Sequence, residues 1–294
     1  MPSVPDLVSI VLPTFNGSRY IREAVASCLK QTYSPIEVVI VDDGSTDKTQ
    51  DILESVAARD ARVRCVRHKE NRGISAALNT GFSHCTGAYW TWTSDDNCFR
   101  PNAIAEMVRY LRENLEAGMV YADFTFIDDS GREVRTHQVQ PRERLLHGNT
   151  IGPCFLYRRE VAEVVGEYSE EMRLAEDYDY WLRVSARFLM EPLHVNLYSY
   201  RRHAGSLTAS ESRQAGRVAD RALEKHLSSL AWADDEARGH AFLRLARRAA
   251  KRREWPRVLR CLWLARRYGV WFPLGPAIRR RLDRLWPRQG RQSA

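Results

Sequence analysis

Over the first 125 residues, short apolar runs alternate with amphipathic ones without a break in order. "LVSIVLP" (7–13), "IEVVIVDDG" (36–44), "RVRCVRH" (62–68), "AYWTWT" (88–93) and "AGMVYAD" (117–123) are rich in β-branched or aromatic residues and bounded by turn residues. Runs of that kind read as buried strands. Between them, "RYIREAVASCLKQ" (19–31), "DKTQDILESVAAR" (47–59), "GISAALNTGFSHC" (73–85) and "PNAIAEMVRYLREN" (101–114) read as helices. The first of these carries its apolar residues at clear helical spacing. Strand and helix in strict alternation imply right-handed crossovers, so the pattern predicts an α/β three-layer sandwich around a mainly parallel central sheet. Such sheets bind ligands outside the carboxyl ends of their strands. Four polar clusters fall at those ends: "PTFNG", "VDDGSTD", "HKENRG" and "SDDN".

The last cluster sets Asp95 beside Asp96. Adjacent carboxylates repel, and two chemistries accommodate them: a turn, for which Asp and Asn are suited, or a divalent cation with its ligand. One cluster at a strand end is a turn. Four converging on one edge point to a site.

Beyond residue 123 the alternation loosens. "FTFIDDSGREV" (124–134) predicts a hairpin around Asp-Ser-Gly. Residues 141–168 mix short helices with an apolar strand, 175–188 predict an amphipathic helix, and 189–208 a strand followed by a polar loop. From about 211 the chain reads as helical, with 240–269 patterned as an antiparallel helix pair.

Charge divides the chain along the same line. Residues 214–294 contain 20 Lys/Arg against 7 Asp/Glu, whereas residues 1–213 contain 25 against 30. An acidic body with a basic tail predicts two parts, 1–210 and 211–294, and argues against a uniformly basic nucleic-acid binder. No run of eighteen apolar residues exists, so no transmembrane helix is expected. The N-terminus lacks the pattern of a signal peptide, and the six scattered cysteines form no C-x-x-C. A cytoplasmic protein with reduced thiols is the expectation.

"VSIVLPTFNGSRYIREAVASCLKQTYSPIEVVIVDDGSTDKT", "NRGISAALNTG", "SDDN" and "EDYDYWLRV" together resemble the family 2 glycosyltransferases of GT-A fold, over roughly residues 6–208. The resemblance implies inverting transfer of a sugar from a nucleotide-diphospho-sugar, commonly UDP-linked, to a hydroxyl acceptor in cell-wall polysaccharide or glycolipid biosynthesis. By the same resemblance, Pro13, Thr14, Phe15, Asn16, Asp42 and Asp43 bind the base and ribose, and Arg72 faces the diphosphate. Asp95 faces ribose or a metal-bound water, Asp96 ligates Mn²⁺ or Mg²⁺, and His203 reaches back to the metal or diphosphate, with Ser206 nearby. Asp177 is implied as catalytic base, with Glu176 and Trp181 supporting it or binding the acceptor. The residue types suit these tasks: a carboxylate accepts from a uracil N–H, and oxygen donors suit Mg²⁺.

Plainer readings stay open beside these. Glu176 and Asp177 match dipole capping of a helix, Trp181 matches core packing, and His203 matches a solvated loop. One position departs from the family's acidic motif: Thr93 stands where a further Asp is common. Loops 124–150 and 166–175 are expected to shape the site for a saccharide or lipid-linked acceptor. The tail reads either as a membrane-surface contact through 240–291, with arginines for anionic head groups and interspersed tryptophans, or as a small helical subdomain. The rival activities are a nucleotidyltransferase, which wants a Gly-rich basic loop after the first strand, and a non-catalytic sugar- or nucleotide-binding relative. A dehydrogenase fingerprint G-x-G-x-x-G is absent after that strand.

Overall fold

The computed structural model describes residues 4–203, 205 and 212–270. Contacts divide the chain into two compact units between Ala222 and Leu223. In the first unit, β1 (Val4–Thr14), β2 (Ile36–Asp42), β3 (Val63–Arg67) and β4 (Gly87–Trp92) alternate with α1 (Ile21–Leu29), α2 (Thr49–Ala57) and α3 (Ile74–Ser83). There follow β5 (Cys98–Phe99), α4 (Ala103–Glu113), β6 (Ala117–Ile127), β7 (Glu133–His137), β8 (Phe155–Arg158), α5 (Arg159–Val165), α6 (Glu176–Ser185) and β9 (Leu189–Arg201).

One nine-stranded sheet runs β3-β2-β1-β4-β8-β6-β9-β5, with β7 paired on β6. β1 is parallel to β2 and β4, and β2 to β3, as the alternating pattern predicts. The runs at 88–93 and 117–123 are not neighbours. The apolar "FLYR" of β8 enters between β4 and β6, antiparallel to both. β6 also runs past Asp123 to Ile127, because Phe124–Ile127 pair with β9 on one side and β7 on the other. The sheet is therefore mixed, parallel through its first half. In the expected hairpin, the Asp128 carboxylate closes the turn by accepting the N–H groups of Ser130 and Arg132 at 2.9 and 3.0 Å.

The core lies where the periodicity puts it. Val8, Ile10, Val11 and Leu12 of β1 and Val38, Val39, Ile40 and Val41 of β2 are at most 1% exposed. Burying a side chain of this size stabilises the fold by about 1.5–3 kcal/mol each. A second core is aromatic and lies between β4, β8, α3 and α6. Tyr168 and Tyr180 stack at 4.0 Å, Phe82 stacks on Trp90 and Tyr168, and Trp181 meets Phe155 edge-on at 4.6 Å.

In the second unit, α7 (Ser212–His226), which spans the division, precedes α8 (Asp235–Lys251) and α9 (Trp255–Arg267). Asp234 caps α8 by accepting the Ala237 N–H at 2.7 Å. α8 and α9 form a packed pair with Phe242, Leu245, Ala249, Val258, Cys261 and Ala265 inside. The Arg257 guanidinium pairs with Glu224 at 2.8 Å. No helix among the described residues is long and apolar enough to cross a membrane.

Candidate functional site

The carboxyl ends of β1, β2 and β4 carry most of the expected residues, and hydrogen bonds join them. Pro13 is buried in register with Val41, and Thr14 lies opposite Asp42. The Thr14 hydroxyl donates to Asp95 Oδ2 at 2.5 Å, and the Asp43 N–H donates to the Thr14 carbonyl at 2.8 Å. Phe15 stands 47% exposed beside them, a free aromatic face. Asn16 adopts a left-handed φ of 55°, which Asn tolerates, and its amide oxygen accepts the Thr46 N–H at 2.8 Å. Gly17 permits the close approach: a Cβ there would collide with the Asp95 carboxylate and the Thr14 hydroxyl.

The two acids of "VDDGSTD" have different work. Asp43 accepts the backbone N–H groups of Arg72 and Gly73 at 2.9 and 2.7 Å, and its Oδ1 lies 2.6 Å from His68 Nδ1. Both of its oxygens are taken up by the loop that opens α3. Asp42 is 2% exposed; its Oδ1 accepts the Ser45 N–H, and its Oδ2 receives no hydrogen bond, facing the Arg67 guanidinium at 3.6 Å. A buried carboxylate oxygen without a donor is costly unless a ligand supplies one. The Arg72 side chain is exposed, with its backbone rather than its guanidinium fixed.

Asp95 and Asp96 follow β4. Burial pushes the Asp95 carboxyl up to about 6, the Asp96 charge adds to this, and the Thr14 hydroxyl opposes it. Asp96 Oδ2 lies 3.0 Å from His203 Nε2, and Asp96 Oδ1 is buried without a hydrogen-bond partner. The structure thus brings His203 to the acidic pair, across 107 residues of chain. Among the described residues no cluster of three metal-ligating side chains occurs. A carboxylate with one vacant oxygen and an imidazole nevertheless fit Mg²⁺ or Mn²⁺, which take few protein ligands and complete their shell with phosphates and water. Thr93 is fully buried, its hydroxyl 2.6 Å from that of Tyr198, so this departure from the acidic motif lies in the core. Ser206 lies outside the described residues.

Glu176 and Asp177 open α6. Asp177 accepts the Tyr178 N–H on Oδ1 and the Asn149 side-chain amide on Oδ2, both at 2.6 Å. Burial raises the Asp177 carboxyl above its ordinary value, against those two hydrogen bonds. Glu176 is 7% exposed, and its Oε2 has no partner; burial first and the Asp177 charge second push it up to about 7. Both acids lie in the first turn of α6, where the helix dipole favours their charge, and burial opposes it. Trp181 is fully buried against Phe155 and Tyr157 and supports α6 from beneath. α6 is anchored to β4 through the aromatic core, where the Trp92 indole donates to the Tyr168 hydroxyl at 3.0 Å and Tyr168 stacks on Tyr180.

Several residues at this edge escaped the sequence reading. His68 bridges Asp43 and the Thr80 hydroxyl, the latter at 2.9 Å. Asn149 reaches Asp177 from a surface loop. Arg201, 2% exposed, donates to the Asp96 carbonyl at 3.0 Å and to Glu23 at 2.7 Å. Their partners are 28 to 178 residues away for Asn149 and Arg201, so no local spacing signals them.

Comparison with known proteins agrees with this architecture. The family described as glycosyl transferase family 2 matches residues 9–166. An uncharacterized glycosyltransferase of Rickettsia typhi is 35% identical over 200 residues, covering 61% of this chain and 60% of its own. Chondroitin synthase of Escherichia coli is 33% identical over 200 residues, covering 67% of this chain and 29% of its own. The chain thus spans about three fifths of the first relative and under a third of the second. Among solved structures, S. aureus TarS 1–349 in complex with UDP-GlcNAc superimposes with a TM-score of 0.65 at 16% identity, covering 95% of this chain and 83% of that one. A mannosyltransferase from Pyrobaculum calidifontis in complex with GDP-Man and Mn²⁺ gives 0.58 at 18% identity, with 92% and 89% covered. These likenesses establish the GT-A fold.

Proposed function

The chain belongs to glycosyl transferase family 2, and from that premise we propose that it is an inverting transferase that moves a sugar from a nucleotide-diphospho-sugar to a hydroxyl acceptor. The observation that carries this reading is the pairing of an acid-lined edge at β1, β2 and β4, which takes an anionic diphosphate through a bridging cation, with a desolvated carboxylate pair at the start of α6. One binds an anionic donor, the other takes a proton. The donor is UDP-linked in this proposal, with Asp42 Oδ2 and Phe15 presented to the base and Asp95 to the ribose. The complexes of TarS with UDP-GlcNAc and of the mannosyltransferase with GDP-Man make uridine and guanosine the first carriers to test.

Asp96 and His203 are the residues to hold Mn²⁺ or Mg²⁺. When bound, the ion supplies charge neutralisation to the departing diphosphate. Asp177 accepts the proton of the acceptor hydroxyl as its oxygen bonds to the anomeric carbon. The bond from that carbon to the diphosphate oxygen breaks, and the nucleoside diphosphate leaves with the electron pair. A carboxyl raised by burial is a stronger base once ionised, which suits that step. Glu176, beside it, lines the acceptor side, with the fully buried Trp181 locking α6.

The acceptor is a saccharide or lipid-linked hydroxyl, in cell-wall polysaccharide or glycolipid assembly. We assign transfer to residues 1–210 and a peripheral contact with the inner membrane face to the basic extension, 211–294, in a cytoplasmic protein. Trp255, 61% exposed, and the exposed Arg247, Lys251 and Arg253 support that contact; residues 271–291 of the expected stretch lie outside the described residues. Flotation with phosphatidylglycerol but not phosphatidylcholine vesicles is the expected result, and equal binding to both rejects the contact.

A titration with UDP and GDP, in Mn²⁺ and in EDTA, on wild type and Asp96→Ala, tests the donor site. Metal-dependent binding of one nucleotide, lost in the variant, is expected. No binding of either moves the non-catalytic reading ahead.

A further inference from the structure

Behind Asp96, three chain segments meet on one ring. Tyr20, at the entrance to α1, sets its ring 5.2 Å from the His203 imidazole at a 52° tilt. The Arg201 guanidinium covers the same ring at 4.7 Å and the Arg19 guanidinium at 4.8 Å. The Tyr20 hydroxyl donates to Asp129, at the tip of the β6–β7 hairpin, and Arg19 pairs with the same carboxylate. Arg201 also donates to the carbonyls of Asp128 and Asp129 at 3.3 Å, and its own N–H donates to the Asn97 side chain at 2.7 Å. The Asp96 carbonyl is held by the same guanidinium.

We propose that Tyr20 is a positioning residue: with Arg201 and the Asp129 tip it fixes the His203 ring on Asp96 and thereby sets the affinity of this pair for a divalent cation. This rests on the donor-site reading above. The physical argument is rotational. His203 follows β9, and its imidazole has two soft torsions. Contact with an aromatic face removes the orientations in which Nε2 turns away from Asp96. Tyr20 is itself contacted by two guanidinium groups and held at its hydroxyl by a carboxylate, which opposes swinging of the ring. Arg201 links the device to the acid, since one side chain grips the Asp96 backbone and covers the Tyr20 ring. The hairpin at 124–134 reaches Tyr20 and Arg201 through its tip.

The test is titration of the full chain with Mn²⁺, followed by electron paramagnetic resonance of the free ion, in saturating UDP and GDP, beside nucleotide binding in EDTA. Tyr20→Leu is expected to weaken Mn²⁺ binding about tenfold, within the range usual for groups that orient a metal ligand. Tyr20→Phe retains the ring and is expected to lose about threefold or less. Metal-free nucleotide affinity stays at the wild-type value in both. An unchanged Mn²⁺ titration in Tyr20→Leu, or an equal loss with and without metal, overturns the proposal. If Tyr20→Leu lowers the melting temperature, Asp129→Asn on the exposed tip decides: about threefold weaker Mn²⁺ binding supports the device, and unchanged binding overturns it. Wild type that binds neither nucleotide under any condition overturns the donor-site reading, and this proposal with it, so the two failures are distinct.

Discussion

Asp43, which is buried, and Asp177, which is half-buried, are both carboxylates at the end of a structural element, and they differ in what their partners can do. Asp43 is gripped by two backbone N–H groups and the buried His68 ring, none of which can leave without opening the loop. Asp177 Oδ2 is held by the side chain of Asn149, on an exposed residue of a surface loop, and the adjacent Glu176 Oε2 is held by nothing. The first carboxylate is fixed by its loop. Under the proposed function, the second exchanges its partner for a substrate. Burial of a polar group costs free energy either way, and only the second arrangement converts that cost into reactivity. The same contrast separates Asp43 from its neighbour Asp42, whose Oδ2 faces only a guanidinium at 3.6 Å.

The sharpest way to break the comparison is to neutralise each acid in turn. Asp177→Asn is expected to lower the transfer rate roughly 10³-fold or more, in the upper range for removal of a general base, with nucleotide binding intact. Lost binding in a folded variant would reject the base assignment. Asp43→Ala is expected to do the reverse. It leaves two backbone donors and His68 unpaired, costs about 2–3 kcal/mol of stability, and weakens nucleotide binding because the loop moves. A melt equal to wild type would show that Asp43 is not structural. Trp181→Ala lies between these: a cavity in the aromatic core is expected to cost about 3–5 kcal/mol and to lower activity through the α6 position alone, seen as early denaturant unfolding.

How far the sequence foresaw this contrast depends on distance along the chain. The parallel half of the sheet was legible because each strand there is a local apolar run, and the clusters at 13–17, 41–47, 68–73 and 94–97 came with it. The place of β8 was not, because four apolar residues carry no record of which strand they join, and β6 and β9 pair over a register no local pattern encodes. In the site, the convergence of polar clusters at strand ends pointed to Asp95 and Asp96, and the family resemblance, not residue type, pointed to Asp177. Their supports were silent: Tyr20 to Asp129 spans 109 positions and Arg201 to Glu23 spans 178. Trp181 was ambiguous on a helix, and the fold buries it fully.

A smaller effect concerns stability and pH. The Glu176 carboxyl is raised from 4.5 to about 7, so between these values the folded chain binds more protons than the unfolded one. Stability contributed by this group is present below the unfolded value and is lost as pH rises through the folded one. At about 1.4 kcal/mol per pKa unit the loss is a few kcal/mol at most. Glu176→Gln is expected to flatten that decline in a melting-temperature profile from pH 4 to 8. A variant profile parallel to wild type would place the titration elsewhere.

The smallest expected effect tests the exchangeable partner directly. The Asn149 amide lowers the Asp177 carboxyl, opposing burial. Asn149→Ala removes that donor and raises the carboxyl further. The acidic limb of kcat/KM, which reports the free enzyme, then moves to higher pH by about one unit or less. At a pH well above the limb, the rate in this variant is expected to equal or slightly exceed wild type, because an acceptor hydroxyl no longer competes with an amide for Oδ2. At a pH below the limb the rate falls, since a larger fraction of Asp177 carries a proton. A limb that stays in place while the rate drops at every pH would mean that Asn149 orients the acceptor itself, and that Asp177 is bound to its partners no less firmly than Asp43.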